Sequence, residues 1–508
     1  MLFNSYIFIF AFLPIMLIGY FWLLQKRLIL GSKVWLVGGS FFFYGYWSVV
    51  YVPLLFASIL VNFFVGSALA TVPIEKESIR NTSAQRSFFS RVSKKQLLIF
   101  GVIFNVGLLA YFKYTDFFLE NFNGIFEANI PLLHIILPLG ISFFTFTQIA
   151  FLVDSYKNEV KEYDLLHYML FVTYFPHLLA GPILHHKEMM PQFANKWNFA
   201  VRWRNVAVGL FLFSIGLFKK VVIADTFAVW ANTGFDVATT LNFFEAWATS
   251  LSYTLQLYFD FSGYVDMAIG MSLMFNIRLP INFNSPYKAT DIQDFWRRWH
   301  ITLSRFLRDY IYIPLGGNKV SQFRNYVNLF TVFLIGGIWH GASWMFLIWG
   351  ALHGFAIVMH RIWQDLGLKM WGWLGWLITF NFVNITWVFF RAKDFETTSK
   401  VLSGMVGFHS IVLPDKLSVK FTFLEQYGVS FGEWLANIGS GNSVVLLIVI
   451  GIFIVLVFKN SYETIYSETL KKSNILTAKK TFYYSFLCLI GILAMSMSTV
   501  SEFIYFNF

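Results

Sequence analysis

The segment "INFNSPYKATDIQDFWRRWHITLSRFLRDYIYIPLGGNK", Ile281 to Lys319, combines aromatic, basic and imidazole side chains. From Asp291 to Ile311 its apolar residues recur at spacings of three and four, which places them on one face of a helix. Asp291 is a suitable N-cap, and Pro314 with the glycine pair after it ends a helix. The segment therefore predicts one amphipathic helix of about five to six turns.

The basic residues and the histidine of this helix lie on different parts of its surface. An interfacial helix whose arginines meet lipid phosphates explains the basic face without any catalysis. His300 projects at the border of the apolar stripe, where it can face the interior of a helix bundle. The helix alone leaves an interfacial and a functional interpretation open. The arginines on the opposite face are Arg297, Arg298, Arg305 and Arg308.

A second segment, "LIGGIWHGASWMFLIWGALHGF" from Leu334 to Phe355, contains a histidine at the end of a short apolar run. If the run begins near Asn328, His340 lies about 18 Å along the helix, inside a hydrocarbon core about 30 Å thick. An ionisable side chain at that depth is costly and is a functional candidate. A single buried histidine can equally be structural, so His340 by itself leaves both interpretations open.

The composition places these segments in a membrane. The 508 residues are 57% hydrophobic and 13% charged, whereas soluble domains hold roughly 25% charged residues. Apolar runs along the chain, among them 373–390, 443–458 and two polar-interrupted runs near 246–259 and 262–276, predict about 11–14 membrane-embedded helices. No soluble domain separates from the rest. The sequence therefore predicts a single integral-membrane domain over residues 1–508, all α-helical and polytopic.

The distribution of charge predicts the orientation of the chain. The loop after residue 72 and the stretch 459–480 are rich in lysine and arginine and should face the cytoplasm, whereas the loop of Asp116, Glu120 and Glu127 and the stretch 392–442 should lie outside. Both termini are then extracytoplasmic. The net charge of +11 is explained by a basic cytoplasmic face, so no nucleic-acid partner is predicted.

Other polar residues within apolar runs have simpler explanations. Asp225, Asp260 and Asp266 are expected to pair with nearby lysines or arginines, with Asp260 a candidate helper of catalysis. Asn282 and Asn284 are further possible helpers. The pairs His185 with His186 and His353 with His360 lack the spacing of known metal motifs, and the chain has one cysteine, Cys488. We expect no metal and no bound cofactor.

Five motifs resemble those of the membrane-bound O-acyltransferases, and specifically the bacterial branch whose members include alginate O-acetyltransferase membrane subunits. They occur in order along nearly the whole chain. They are "LPLGISFFTFTQIAFLVDSYK" (137–157), "FPHLLAGPI" (175–183), "LYFDFSGYVDMAIG" (257–270), "FNSPYKATDIQDFWRRWHITLSRFLRDYIYIPLGGN" (283–318) and "GGIWHGASWMFLIWGALHG" (336–354).

The resemblance implies a ring of tilted helices around a thinned centre, with funnels from the cytoplasm and from outside, and a catalytic core over 281–355. The family's two hallmark histidines map onto His300 and His340, with His340 the catalytic one. The resemblance also implies acetyl-CoA or another cytoplasmic thioester as donor, an extracytoplasmic partner of the SGNH-hydrolase class, and a cell-envelope polysaccharide as final acceptor. The four arginines then become candidates for holding the phosphates of the donor.

The chain ends in "EFIYFNF", and residues 501–508 form an aromatic tail. Phe503, Tyr505 and Phe508 fit a Phe-x-Tyr-x-x-Phe pattern that resembles the C-terminal motif of this branch. A phenol has a pKa near ~10, so its ester retains much of the transfer potential of a thioester. Tyr505 is therefore a candidate acyl carrier, and an aromatic interfacial anchor is the alternative.

Two other classes of function remain open from the sequence. A transporter also carries polar residues in broken helices, although no inverted pair of halves is apparent. A scaffold of a polysaccharide export complex would need no catalytic histidine. The motifs do not identify the acceptor, which is alginate-like or peptidoglycan, and the Phe-, Ile-, Asn- and Lys-rich composition favours peptidoglycan only slightly.

Overall fold

The computed structural model describes residues 1–71, 93–160, 164–439, 441, 443–466, 477–496 and 503–504. The basic loop after residue 72 and residues 467–476 of the second basic stretch lie outside these ranges, as do Tyr505 and Phe508. The described residues are predominantly helical, as the sequence predicts.

The α-helices are numbered here in chain order. The first ten are α1 Leu13–Gln25, α2 Ile29–Gly45, α3 Val52–Thr71, α4 Lys94–Phe126, α5 Ile141–Tyr156, α6 Leu165–Thr173, α7 Phe175–Leu178, α8 His186–Ala194, α9 Trp203–Phe218 and α10 Asp225–Asn232. The rest are α11 Phe243–Met274, α12 Ile292–Arg298, α13 Ile301–Leu307, α14 Gln322–His340, α15 Trp344–Asp365, α16 Gly372–Arg391, α17 Phe395–Met405, α18 Ser418–Phe421, α19 Ser443–Val457 and α20 Ala478–Met495.

Seven helical stretches in the described part of the chain are long and apolar enough to cross a membrane, which confirms a polytopic, all-α membrane protein. The predicted total of embedded helices includes shorter and more polar elements and stays a prediction. The seven stretches are Phe8–Gln25, Val49–Ala70, Lys94–Phe126, Trp203–Val237, Trp344–Asp365, Gly372–Arg391 and Ala478–Met495.

The chain divides into two compact units. The first comprises 1–213 and 267–280, and buried amides join three of its helices. Asn62 of α3 and Asn105 of α4 exchange side-chain hydrogen bonds of 3.2 and 2.6 Å, and Asn62 also donates to Gln148 of α5. Amides that satisfy one another inside an apolar bundle hold the helices in one register.

The second unit comprises 214–266 and 281–508 and contains the segments that the sequence singles out. Its central pair of helices is α14 and α15, which meet at Gly337 and Gly350. A Cβ atom added at Gly337 would lie 2.4 Å from the carbonyl oxygen of Phe346 and 2.9 Å from the Cα of Gly350. Only glycine allows this close approach, so the two backbones are in direct contact just before α14 ends at His340.

The stretch 392–442 is not a simple loop. It begins with α17, which Asp394 caps by accepting a 2.7 Å hydrogen bond from the backbone N–H of Thr397. Two short parallel strands follow, β1 Ile411–Pro414 and β2 Val429–Gly432, in register from Ile411 opposite Val429. This small folded element is the one sheet within the described residues.

Two expectations about element boundaries are wrong. The runs near 246–259 and 262–276 form one helix, α11, because the polar residue that interrupts the apolar pattern, Asp260, is buried against a lysine instead of breaking the helix. The acidic residues Asp116 and Glu120 lie on α4, with Glu127 its C-cap. Asp116 accepts hydrogen bonds of 2.8 and 3.0 Å from the backbone N–H groups of Leu133 and Ile135.

Candidate functional site

The predicted continuous helix from Asp291 to Ile311 is interrupted at His300. Asp291 does cap α12, accepting a 2.7 Å bond from the N–H of Asp294. The helix then ends at Arg298, because Trp299 is extended and His300 adopts φ 43° and ψ 54°, in the left-handed region. The chain resumes as α13 and passes into one turn of π-helix at Arg308–Tyr312. One long amphipathic helix is therefore two short ones joined at the histidine.

Asn282 explains the interruption. Its Oδ1 accepts hydrogen bonds from the backbone N–H of Thr302 at 3.0 Å and from the Thr302 hydroxyl at 2.9 Å. Its carbonyl oxygen accepts from the N–H of Ile301 at 3.0 Å. These bonds replace the helical partners that Ile301 and Thr302 would otherwise need, so the backbone can turn at His300 without leaving buried groups unsatisfied.

The same amide fixes the tautomer of His300. Because the N–H of Thr302 can only donate, the atom of Asn282 that faces it is an oxygen acceptor. That oxygen also lies 3.2 Å from Nδ1 of His300, so Nδ1 carries the proton and donates it. The lone pair of the neutral ring is then at Nε2, the nitrogen available to act as a base or hydrogen-bond acceptor.

Replacing Asn282 with alanine should release this turn. The buried N–H and hydroxyl of Thr302 lose their acceptor, and we expect the free energy of unfolding to fall by about 1–3 kcal/mol. Thermal unfolding of the detergent-purified protein measures the change. Asn284→Ala is the matched control, since that half-buried amide accepts one 2.9 Å bond from Asn460. Equal melting temperatures for both variants would contradict this account of the turn.

His340 lies at the C-terminus of α14 inside a cluster of aromatic rings. The ring centroids of Trp349 and Phe390 each lie 5.0 Å from that of His340, edge to face, and Phe346 stacks at 6.4 Å. The residue is 3% exposed. Gly341, which follows it, is extended, and a Cβ there would overlap Phe346. The imidazole is thus held in a defined orientation among apolar rings.

The indole of Trp339 connects the two histidines. Its centroid lies 5.0 Å from that of His340 and 6.3 Å from that of His300. His300 is fully buried and also contacts Phe261 at 4.9 Å. The structure therefore places two histidines that are forty residues apart in sequence on either side of one indole.

His353 is a third buried histidine next to this site, and no sequence pattern predicted its position there. Its Nδ1 accepts from the indole N–H of Trp296 at 3.2 Å, so Nε2 carries the proton and donates to the hydroxyl of Thr386 at 3.0 Å. Its ring lies 4.7 Å from Trp349, the residue that packs on His340. Both nitrogens of His353 are therefore hydrogen-bonded, and its ring packs within the aromatic cluster.

The four arginines differ in exposure and partners. Arg298 makes two 2.9 Å bonds to the carboxylate of Asp294, and Arg308 lies 2.7 Å from Asp309. Their charges are thus largely compensated by neighbours. Arg297 and Arg308 are exposed, whereas Arg298 and Arg305 are half-buried. Arg297 is thus an exposed arginine outside these two ion pairs.

The expected pairing of the intramembrane aspartates is confirmed by the structure. Asp266 binds Lys219 at 2.6 Å. Lys220, the next residue, lies 2.8 Å from Asp225 and 2.7 Å from Asp260. The two lysines lie in a π-helical segment, Lys219–Ala224, and consecutive side chains project in different directions on a helix, so each lysine meets a different carboxylate. No sequence spacing pointed to Lys220, which lies forty residues before Asp260.

Part of the C-terminal tail is described, and it contacts the same region. Phe503 is buried and stacks on Tyr264 with centroids 4.3 Å apart. The backbone N–H of Ile504 donates to Oδ2 of Asp260 at 3.1 Å. Tyr505 and Phe508 lie outside the described residues, so their predicted positions are not addressed by the structure.

The histidines considered as metal ligands have other partners. His185 lies 3.7 Å from Asp154, and His360 lies 3.5 Å from Asp291. Within the described residues, no three His, Cys, Asp or Glu side chains converge in a way that would hold a metal ion.

Comparison with known proteins identifies the family. The sequence profile of the membrane-bound O-acyltransferases matches residues 17–393. A peptidoglycan O-acetyltransferase of Helicobacter pylori is 49% identical, across all of this chain and 98% of the relative. A protein of Pseudomonas aeruginosa named as a probable alginate O-acetylase is 39% identical over 84% of this chain and 78% of its own length. A teichoic acid D-alanyltransferase of Bacillus subtilis is 27% identical over 53% of this chain and 72% of its own length.

The profile spans most of the chain, including both histidines, and two of the relatives exceed a third in identity over most of their length. The chain therefore belongs to the membrane-bound O-acyltransferase family, and it is an acyltransferase embedded in a membrane.

Proposed function

We propose that this protein takes an acetyl group from acetyl-CoA on the cytoplasmic side and passes it across the membrane for O-acetylation of peptidoglycan. The observation that carries the proposal is the 49% identity, from end to end, with a peptidoglycan O-acetyltransferase. The relative named for alginate is less similar and covers less of the chain. Peptidoglycan is therefore favoured over an alginate-like acceptor.

His340 is the proposed general base. The nucleophile is the phenol of Tyr505: as its oxygen attacks the carbonyl carbon of the thioester, His340 takes up the phenolic proton. The C–S bond then breaks, and the proton passes from the imidazolium to the departing thiolate of coenzyme A. The products are free coenzyme A and an acetyl ester on Tyr505. The dry aromatic surroundings of His340 support this role, because they exclude the water that would hydrolyse the ester.

The acetyl group then leaves the tyrosine on the outer side. A hydroxyl of an SGNH-type partner attacks the aryl ester, the phenolic oxygen departs and regains a proton, and the partner esterifies the polysaccharide. The phenol is a better leaving group than a sugar hydroxyl, so this second transfer is favourable. We assign His300 as an orienting partner or a second base, with Nε2 as its working nitrogen. Arg297 is the favoured contact for donor phosphates.

The orientation follows from this direction of transfer. We propose that the protein spans the bacterial cytoplasmic membrane as one domain over residues 1–508, with both termini on the extracytoplasmic side and 281–355 as catalytic core. The folded stretch 392–442 lies outside and is available to the partner. Tyr505 is then delivered to the outer side by α20, whose first turn carries Lys479 and Lys480.

A deletion strain tests the acceptor. Mild base releases ester-linked acetate from purified sacculi and leaves the N-acetyl groups of the sugars intact. We expect ester acetate to fall to background in the deletion strain and to return when the full chain is supplied from a plasmid. The N-acetyl content is the internal control. If ester acetate in sacculi is unchanged and is instead lost from a secreted polysaccharide, that polysaccharide and not peptidoglycan is the acceptor.

A further inference from the structure

The described part of the C-terminal tail occupies a site on α11. Asp260, Phe261 and Tyr264 lie on one side of this helix, since positions separated by three or four residues are neighbours on a helix surface. All three are buried. Phe503 stacks on Tyr264 at 4.3 Å with an interplanar angle of 19°, and it contacts Phe261 at 6.0 Å. The tail is thus seated between two rings of α11.

At the polar end of this site, one lysine is shared by two aspartates. The ammonium group of Lys220 lies between the carboxylates of Asp225 and Asp260 at 2.8 and 2.7 Å, so one cation serves two anions. The contact to Asp260 uses Oδ1. The other oxygen, Oδ2, accepts the 3.1 Å hydrogen bond from the N–H of Ile504. A buried carboxylate needs donors on both oxygens, and the tail backbone supplies one of them.

From these contacts we propose that Asp260, Phe261 and Tyr264 form a receptor for the C-terminal segment, with Asp260 a positioning residue for Tyr505. Consecutive Cα atoms are ~3.8 Å apart, so the hydrogen bond that holds Ile504 also restricts the positions that Tyr505 can reach. Recognition uses a backbone N–H and an aromatic ring two residues before the tyrosine. The receptor therefore selects an aromatic side chain at the position of Phe503, two residues before the acyl carrier.

The receptor also reaches the histidine site. Phe261 contacts Phe503 on one side and His300 at 4.9 Å, edge to face, on the other. One ring thus contacts both the seated Phe503 and His300. This proposal rests on the proposed acyl-carrier role of Tyr505, but occupation of the receptor can be measured without any acyl transfer.

Carboxypeptidase digestion of the full-length protein in lipid nanodiscs measures how far the tail occupies the receptor. Mass spectrometry of the intact protein monitors the removal of the terminal residues. In the wild type the seated tail should resist digestion, and Phe503→Ala, Tyr264→Ala and Asp260→Ala should each accelerate it by about tenfold or more. The double variant Phe503→Ala with Tyr264→Ala should be no faster than the faster single variant, because both remove the same contact. Phe482→Ala, at a residue 76% exposed on α20, is the matched control.

The ester on Tyr505 provides the second readout. Incubation with acetyl-CoA followed by mass analysis of the C-terminal peptide should give at least tenfold less tyrosine ester in Phe503→Ala than in the wild type, while His340→Ala should lose the ester and keep the protected tail. Equal rates of digestion for the wild type and for the Phe503, Tyr264 and Asp260 variants would overturn the proposed receptor. A digestible tail with wild-type ester formation would overturn the positioning role. A protected tail that never carries an ester would leave the receptor standing and overturn the carrier role instead.

Discussion

His340→Ala should lower acetyl transfer by about 10²- to 10⁴-fold, the contribution of a positioned general base. The physical reason is that His340 supplies the basic nitrogen, which the rings of Trp349, Phe346 and Phe390 packed against it lack. Sacculi from a strain carrying only this variant should contain ester acetate near background. The amount of protein in the membrane fraction should be close to that of the wild type.

Alanine also leaves a cavity among these rings, so a second substitution separates chemistry from packing. His340→Gln keeps a side chain of similar size and polarity but has no basic nitrogen, and it should be equally inactive with a smaller loss of thermal stability. His360→Ala is the matched histidine control on α15, at a partly exposed position. Normal ester acetate in sacculi from a strain carrying His340→Gln would contradict the assignment of His340 as general base.

The same variants distinguish the competing classes of function. A scaffold of an export complex would show a phenotype on deletion of the gene but none with His340→Gln. A transporter would lose substrate passage without any acetyl ester appearing on the protein. Only an acyl carrier predicts a covalent intermediate whose formation depends on His340.

Tyr505→Phe should abolish transfer with little change in how the protein inserts or folds. The substitution removes one oxygen atom, and with it the nucleophile, while the aromatic ring that an interfacial anchor needs is retained. Two measurements apply: ester acetate in sacculi, expected at background, and the mass of the C-terminal peptide after incubation with acetyl-CoA, expected without the added acetyl group. Tyr427→Phe is the matched control, because that tyrosine is 75% exposed.

The two candidate roles of the tail give opposite results in this experiment. If Tyr505 is only an anchor, Tyr505→Phe acetylates normally and Tyr505→Ala alone reduces the amount of protein in the membrane. Normal O-acetylation in Tyr505→Phe would therefore exclude the carrier role.

Helix boundaries that depend on local composition could be predicted from the sequence. The apolar run 373–390 corresponds to Gly372–Arg391, and the run 443–458 corresponds to Ser443–Val457. Hydropathy is a property of the residues themselves, so no knowledge of their partners is needed.

The interruption at His300 could not be predicted in this way. The apolar spacing continues from Trp299 to Leu303, so the periodicity gives no sign of a break. What stops the helix is Asn282, eighteen residues before His300, whose oxygen takes the place of a helical acceptor. A long-range hydrogen bond outweighs local periodicity here, and a single sequence does not reveal it.

The sequence predicts several residues of the candidate site but few of the contacts between them. His340 is predicted from its depth in the membrane and His300 from its position at the border of an apolar stripe, and the structure places both around Trp339. The ion pairs of Lys220 and the hydrogen bonds of His353 could not be predicted, because each depends on which helices pack together. Asp260 was expected to pair with a basic residue, but its contact with Ile504 is a property of the tertiary fold.

The backbone conformation of His300 has a consequence for why a histidine is present at all. At φ 43° a residue that carries a Cβ atom is strained by about 1–2 kcal/mol, although asparagine, aspartate and histidine occur there more often than other residues. Glycine would relieve that strain, so a turn needed only for its shape would be more stable with glycine. The turn fixes the direction in which the imidazole projects, which supports the proposed use of the His300 ring.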